Sequence, residues 1–144
     1  MQLVLNRPSP SATTSSSRWA RSVMLTILAF EGLGALLGGP LLMAAPDGHV
    51  MDMPTEILGG TFPDFLVPGV LLTALGLLNV AAFFVVLLRR PNQRLWAQLA
   101  MAGFLVWFAV EFAVVGYGNP AQIIWGVPVL IGGLAAWRLR ESGA

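Results

Sequence analysis

Apolar residues fill four long runs of this chain, and short polar segments separate the runs. The runs cover about 22–45, 65–88, 95–117 and 121–137. A helix needs about 20 residues to cross the hydrocarbon core of a bilayer, and it must satisfy its own backbone hydrogen bonds there. The first three runs reach that length, and the fourth is shorter. The pattern therefore predicts an all-α protein, a transmembrane four-helix bundle over residues 21–144.

Composition supports a membrane protein and excludes several kinds of chemistry. Of the 144 residues, 56% are hydrophobic and 10% are charged, unlike a soluble domain. The absence of cysteine excludes disulfides and thiolate metal sites, and a single histidine excludes a bis-histidine haem within one chain. No nucleophile–base pair, metal-ligand set or nucleotide loop is visible. We therefore predict no cofactor, no metal and no nucleic-acid partner.

The arginines predict how the spans are oriented. Cytoplasmic loops of membrane proteins carry an excess of Lys and Arg. We therefore expect a protein of the bacterial inner membrane in which residues 1–20, 89–94 and 138–144 face the cytoplasm. Residues 46–64 and 118–120 are expected to face outside. The arginines lie in three clusters: Arg7, Arg18 and Arg21; Arg89, Arg90 and Arg94; Arg138 and Arg140.

A cleaved signal peptide ending near Ala45 is the alternative interpretation of the first run. The run is longer than the apolar part of a signal peptide, which has about 7–15 residues. No A-x-A pattern is present, and Pro46 would directly follow the cleaved bond. We therefore favour a retained span.

The segments outside the spans have their own signatures. Residues 1–20 are rich in Ser, Thr and Pro and are predicted to be a disordered cytoplasmic tail. In the outer loop, a short amphipathic helix is predicted to begin at Pro54 and to end at Gly59. It would lie on the membrane surface or cap the bundle. In the first span, Pro40 is expected to bend or end the helix.

The outer loop is also acidic. His49 with the nearby acids could bind a divalent metal, but the spacing matches no calcium-binding loop, so a solvated acidic loop is favoured. Asp64 precedes the second span and is expected to be its N-cap. Asn119 and Gln122 are expected to cap the fourth span. The acids of the loop are Asp47, Asp52, Glu56 and Asp64.

Glu31 is the most informative polar residue inside a span. It lies ten residues after Arg21, roughly 15 Å along the helix and near the bilayer middle. A charge there costs about 2.5–3.5 kcal/mol. Glu31 shares a helix face with the small residues Gly34 and Gly38, which allow close helix packing. We therefore expect its carboxyl group to point into the bundle.

Two more polar residues lie inside the predicted spans. Asn79 lies ten residues before Arg89, at the same computed depth as Glu31, so a hydrogen bond from its amide to Glu31 is predicted. Glu111 lies roughly 25 Å along the third helix. Trp107, one turn earlier, could donate its indole N–H to it.

No Lys, Arg or His lies inside a span, so neither glutamate has a cationic partner in its own chain. Each must be protonated, solvated, bound to a cation or paired with another subunit. Glu31 could equally be a protonated structural contact, and Glu111 could simply face water or headgroups. The candidate proton, cation or partner site comprises Glu31, Asn79, Glu111 and Asp64.

Parts of the first half of the chain resemble small uncharacterised bacterial four-span integral membrane proteins. The resemblance rests on Glu31-Gly32, Pro46-Asp47-Gly48, Met53-Pro54 and residues 62–69. It implies the four-span fold and no activity. One glutamate in the first of four spans is also similar to the small multidrug resistance transporters. The long tail and the acidic loop depart from that pattern, so no function is carried over.

These features predict a non-enzymatic inner-membrane protein, an accessory subunit of a membrane assembly. We expect its partners to be the bilayer and either further copies of itself, as a homo-oligomer, or a larger membrane complex. The alternative is a small proton- or cation-coupled transporter that uses Glu31, and a membrane enzyme with an outward-facing pocket is third. The inner half of the spans offers only Gln98, Thr26 and Ser22 as polar residues. A channel is therefore disfavoured.

Overall fold

The computed structural model describes residues 11–139, which form four α-helices joined by short connections and one longer loop. No strand occurs in this part of the chain. Two one-turn 3₁₀ helices, His49–Met51 and Thr55–Leu58, lie in the longer loop. The α-helices are α1 (Ser11–Ala44), α2 (Leu66–Leu87), α3 (Gln93–Val115) and α4 (Pro120–Arg138).

Each of the four α-helices is long and apolar enough to cross a membrane. Within α1, the candidate span is Arg18–Ala44. The predicted spans are confirmed as helices, with ends within a few residues of the expected ones. The chain therefore has the architecture of a small, multi-pass integral membrane protein.

The first helix begins earlier than predicted and continues past Pro40. It begins at Ser11, so residues 11–20 are helical rather than part of a disordered tail. Extending an existing helix costs far less than starting one, and no Gly or Pro interrupts this stretch. Residues 1–10 lie outside the described residues. Pro40 does not end α1, which continues to Ala44, because packing against a neighbouring helix can hold a helix together past a proline.

The four helices form a ring in which α1 contacts α2 and α4, and α3 contacts the same two helices. The end of the bundle at the α2–α3 turn, residues 88–92, is called the turn end below. The opposite end, at residues 45–65, is called the loop end. Large apolar side chains cover the outer surface of all four helices, as expected for side chains that contact lipid.

Glycines bring the backbones of α1 and α2 into close contact. A Cβ atom added at Gly39 would lie only 2.7 Å from the Thr73 backbone nitrogen. One added at Gly69 would lie 2.8 Å from the Gly39 carbonyl oxygen, and one at Gly76 would lie 3.0 Å from the Leu36 nitrogen. In a membrane, such small residues are what allows two helices to approach this closely.

The glycine pair identified from the sequence contacts side chains of neighbouring helices rather than their backbones. Gly34 faces the ring of Trp125 on α4, and a Cβ atom at Gly38 would meet only the Leu72 side chain, at 3.4 Å. Helix contacts on this face are therefore confirmed. The closest backbone approach, however, is on the adjacent Gly39 side of α1.

The loop between α1 and α2 folds onto the loop end of the bundle. Its second 3₁₀ helix follows Pro54 and ends at Gly59, which has a left-handed φ of 56°. At this position the loop therefore forms a single 3₁₀ turn, and an amphipathic helix on the membrane surface stays a prediction. Its buried residue, Leu58, packs in a cluster with Leu42 and Phe65.

Arg21 connects α1 to the C-terminal end of α2. Its Nη2 donates hydrogen bonds to the carbonyl oxygens of Val86, at 3.0 Å, and Leu87, at 2.7 Å. The last carbonyls of a helix lack donors within the helix, and a cation is favourable there. The sequence placed Arg21 only in an arginine cluster that predicts topology, and this link between helices was missed.

Replacing Arg21 with Leu is expected to lower the free energy of unfolding by about 1–2 kcal/mol, because two charge-assisted hydrogen bonds are lost. Arg18→Leu is the matched control, since Arg18 is exposed and its loss removes the same charge. Denaturant unfolding of both purified variants in detergent measures the difference. Equal stability of the two variants would contradict this role of Arg21.

Candidate functional site

Glu31 and Asn79 are the two buried polar side chains in the middle of the bundle. Glu31 is 1% exposed and Asn79 is fully buried. Glu31 lies on the inward-facing stripe of α1 that also contains Leu28 and Ala35. On α2, Asn79 lies between Gly76 and Ala82, again on the buried face. The prediction that Glu31 points into the bundle is confirmed.

Two apolar clusters enclose this polar layer along the bundle axis. The turn-end cluster contributes Leu28 of α1 and Ala82 of α2, each three residues from its polar neighbour. The middle cluster lies on the other side, toward the loop end, and includes Ala35. Its other buried members are Phe104, Phe108 and Val129. Glu31 and Asn79 are therefore a polar layer between two apolar ones.

The predicted hydrogen bond from the Asn79 amide to Glu31 is not formed. Asn79 Nδ2 instead donates to the carbonyl oxygen of Leu75 in its own helix, at 2.9 Å. A helical side chain leans toward the preceding turn, which places the i−4 carbonyl within its reach. Glu31 Oε1 and Asn79 Oδ1 are both buried without a hydrogen-bond partner among the described residues.

Alignment of α1 and α2 brings the two residues to neighbouring levels. A Cβ atom added at Gly32, the residue after Glu31, would lie 3.3 Å from the Asn79 Cβ atom. The equal depth that the sequence predicted for Glu31 and Asn79 is thus reflected in contact between their two helix segments. The sequence did not reveal the direction in which the Asn79 amide points.

Glu111 belongs to a second, separate group near the loop end. Its carboxyl group lies within hydrogen-bonding reach of the side chains of Trp107 and Gln122. The predicted Trp107 contact is therefore confirmed. Gln122, at the start of α4, also donates from Nε2 to the Gly116 carbonyl oxygen at 2.9 Å. The group joins the end of α3 to the beginning of α4.

The start of α4 is capped as the sequence predicted, although Gln122 has a different role. Asn119 is the N-cap, and its Oδ1 accepts a hydrogen bond from the Ala121 amide at 3.0 Å. The buried side chain of Gln122 contacts Glu111 and Gly116 as described above. In the sequence, the only indication of a role for Gln122 was its position just after Asn119-Pro120, and this position predicted a capping box.

Asp64 lies apart from both groups and performs a capping role. Its Oδ1 accepts a hydrogen bond from the Leu66 amide at 2.9 Å, at the first residue of α2. The N-cap position itself is Phe65, one residue later than predicted. Of the four candidate residues, only Glu31 and Asn79 therefore share one site.

The loop between α1 and α2 holds an exposed hydrogen bond between a histidine and an aspartate. His49 Nδ1 and Asp47 Oδ1 are 2.6 Å apart, and this hydrogen bond lowers the pKa of the Asp47 carboxyl. Within residues 11–139, no three His, Cys, Asp or Glu side chains converge in a way that could hold a metal ion.

No protein-family model, curated protein or solved structure matches this chain. Its class therefore follows from its own architecture. Four apolar helices enclose one buried polar layer, formed by Glu31 and Asn79. The chain is a small four-span integral membrane protein.

Proposed function

We propose that the protein is a non-enzymatic component of a membrane, acting as an accessory subunit of a larger membrane assembly. The observation that supports this most is the enclosure of the Glu31–Asn79 layer by apolar clusters on both sides. The other two buried polar residues, Gln93 and Gln122, lie at opposite ends of the bundle. The described residues thus offer no polar route from one end to the other.

Purification of the full chain in a mild detergent, from the membranes in which it is made, tests the accessory role. A second protein is expected to co-purify in a fixed ratio. A lone homodimer would contradict the proposal and favour transport.

Surface variants of α4 make this experiment sharper. A Cβ atom added at Gly126 or Gly133 meets no other atom within 4 Å, so Leu at either position should leave the fold intact. Loss of the co-purified protein in one of these variants, with unchanged thermal stability, would place the partner on α4. Gly132→Leu is not a suitable control, because Gly132 is buried against Met101.

Proton- or cation-coupled transport is a second candidate, and the unpaired Glu31 Oε1 favours it. Transport would require one of the two apolar clusters to open toward an end of the bundle. Proteoliposomes containing a pH-sensitive dye test this function. Proton movement that is lost in Glu31→Gln and kept in Glu111→Gln would support transport, and flux unaffected by Glu31→Gln would exclude this use of the residue.

We expect the turn end to face the cytoplasm and the loop end to face outside, because the arginines cluster at the turn end. The chain has no cysteine, so single substitutions Arg90→Cys and Thr61→Cys provide clean probes. Both positions are exposed. An impermeant thiol reagent should label only Thr61→Cys in intact cells. If the reagent labelled only Arg90→Cys, the protein would have the opposite orientation in the membrane.

A further inference from the structure

The polar layer contains two unpaired hydrogen-bond acceptors, and the amide nitrogen of Asn79 is directed at the Leu75 carbonyl of its own helix. Asn79 Nδ2 is occupied by the Leu75 carbonyl, which accepts only, so this contact also fixes which way the amide points. Asn79 Oδ1 is left on the other side without a partner, as is Glu31 Oε1. A buried acceptor that lacks a donor costs about 1–3 kcal/mol. A single proton or cation between α1 and α2 would provide both oxygens with a partner.

No charged side chain of the described helices can supply that group. On α1, the nearest charge to Glu31 is Arg21, which is already bonded to α2 at the turn end. α2 has no titratable side chain. On α3 the nearest ones are Arg94 at the turn end and Glu111 near the loop end, and on α4 the nearest is Arg138. All lie at or near an end of the bundle.

A metal cation does not fit the layer well. Ca²⁺ takes 6–8 oxygen ligands, and Mg²⁺ demands an octahedral set. The layer offers the side-chain oxygens of Glu31 and Asn79, while the helical carbonyls around them are engaged in backbone hydrogen bonds. The residues of α3 and α4 on either side are apolar or glycine: Met101, Phe104, Val129 and Gly132. A proton needs only one donor oxygen and one acceptor.

We propose that the Glu31–Asn79 layer is a proton-binding site. Glu31 takes one proton from water and becomes a neutral carboxylic acid, and its O–H donates to Asn79 Oδ1 on α2. Release of the proton to water breaks this hydrogen bond and leaves a carboxylate between two apolar clusters. The bound proton therefore links α1 to α2 in the middle of the bundle, whether the protein acts as a subunit or as a transporter.

Infrared spectroscopy of the full chain in liposomes at neutral pH tests the proposal. A protonated carboxyl C=O band is expected in the wild type, absent in Glu31→Gln and retained in Glu111→Gln. In Asn79→Leu the band should move to higher frequency, because the carboxylic acid loses its acceptor. A carboxylate signal from Glu31 in place of the acid band would overturn the proton site. An unmoved band in Asn79→Leu would overturn the role of Asn79.

A chemical probe covers the case in which Asn79→Leu fails to fold. A membrane-permeant carbodiimide reacts with protonated carboxyl groups in apolar surroundings, and mass spectrometry identifies the modified residue. Labelling of Glu31 in the wild type is expected to fall as pH rises and to be unaffected by replacing choline chloride with sodium chloride. Protection by sodium, or absence of labelling at every pH, would overturn the proposal, since the first outcome indicates a cation site instead.

Discussion

Gly39→Ala is expected to destabilise the bundle by about 1–3 kcal/mol, whereas Gly38→Ala should leave its stability unchanged or slightly raised. A Cβ atom at Gly39 would lie 2.7 Å from the Thr73 nitrogen and 2.9 Å from the Gly69 oxygen. Both neighbours are backbone atoms of α2, so the two helices must separate. At Gly38, the added atom meets only the end of the flexible Leu72 side chain, at 3.4 Å.

The two glycines are matched, because they are adjacent in one helix and gain the same helix propensity, about 1 kcal/mol, on becoming alanine. Any difference between the variants therefore reports packing against α2. Thermal unfolding of both proteins in the same detergent measures it. Gly69→Ala, on the facing helix, should behave like Gly39→Ala. If both substitutions in α1 were equally tolerated, the close approach of α1 and α2 would be wrong.

Glu31→Ala is expected to lower the free energy of unfolding by about 2–4 kcal/mol, because it leaves a void between two packed apolar clusters. Glu31→Gln keeps the shape of the side chain and should be close to the wild type. The Asn79 amide nitrogen donates to Leu75, so Glu31→Ala leaves that hydrogen bond intact. The loss of stability should therefore come from the void and from the lost contact to α2.

Denaturant unfolding of Glu31→Ala and Glu31→Gln in detergent measures this effect, with Glu111→Ala as the control. Glu111 is only half-buried and lies near the loop end, so its truncation can be filled by solvent or headgroups and should cost less. A Glu31→Gln protein as unstable as Glu31→Ala would show that the carboxyl group itself, rather than its volume, holds the layer together.

The inner position of Glu31 was predictable because a charge in lipid is costly and its α1 neighbours are small. The Glu111–Trp107 contact was predictable because the residues are one turn apart on α3. The predicted hydrogen bond from the Asn79 amide nitrogen to Glu31 was wrong, because that nitrogen donates to Leu75. The depth of a residue along a helix follows from the residue count. The acceptor to which a side-chain amide donates depends on which oxygen atoms lie within its reach, and three-dimensional packing decides that. The nearest of these was a carbonyl of its own helix.

The sequence by itself determined that this is a four-span membrane protein, where the spans lie, and that one acid is buried in the first of them. These properties depend on the hydrophobicity and length of local segments, which folding does not alter. The tertiary structure decided which glycines bring the helices together, how Arg21 joins α1 to α2, and that Glu31 and Asn79 form a closed layer. These depend on the rotation and register of one helix against another, and side-chain packing between distant segments fixes both.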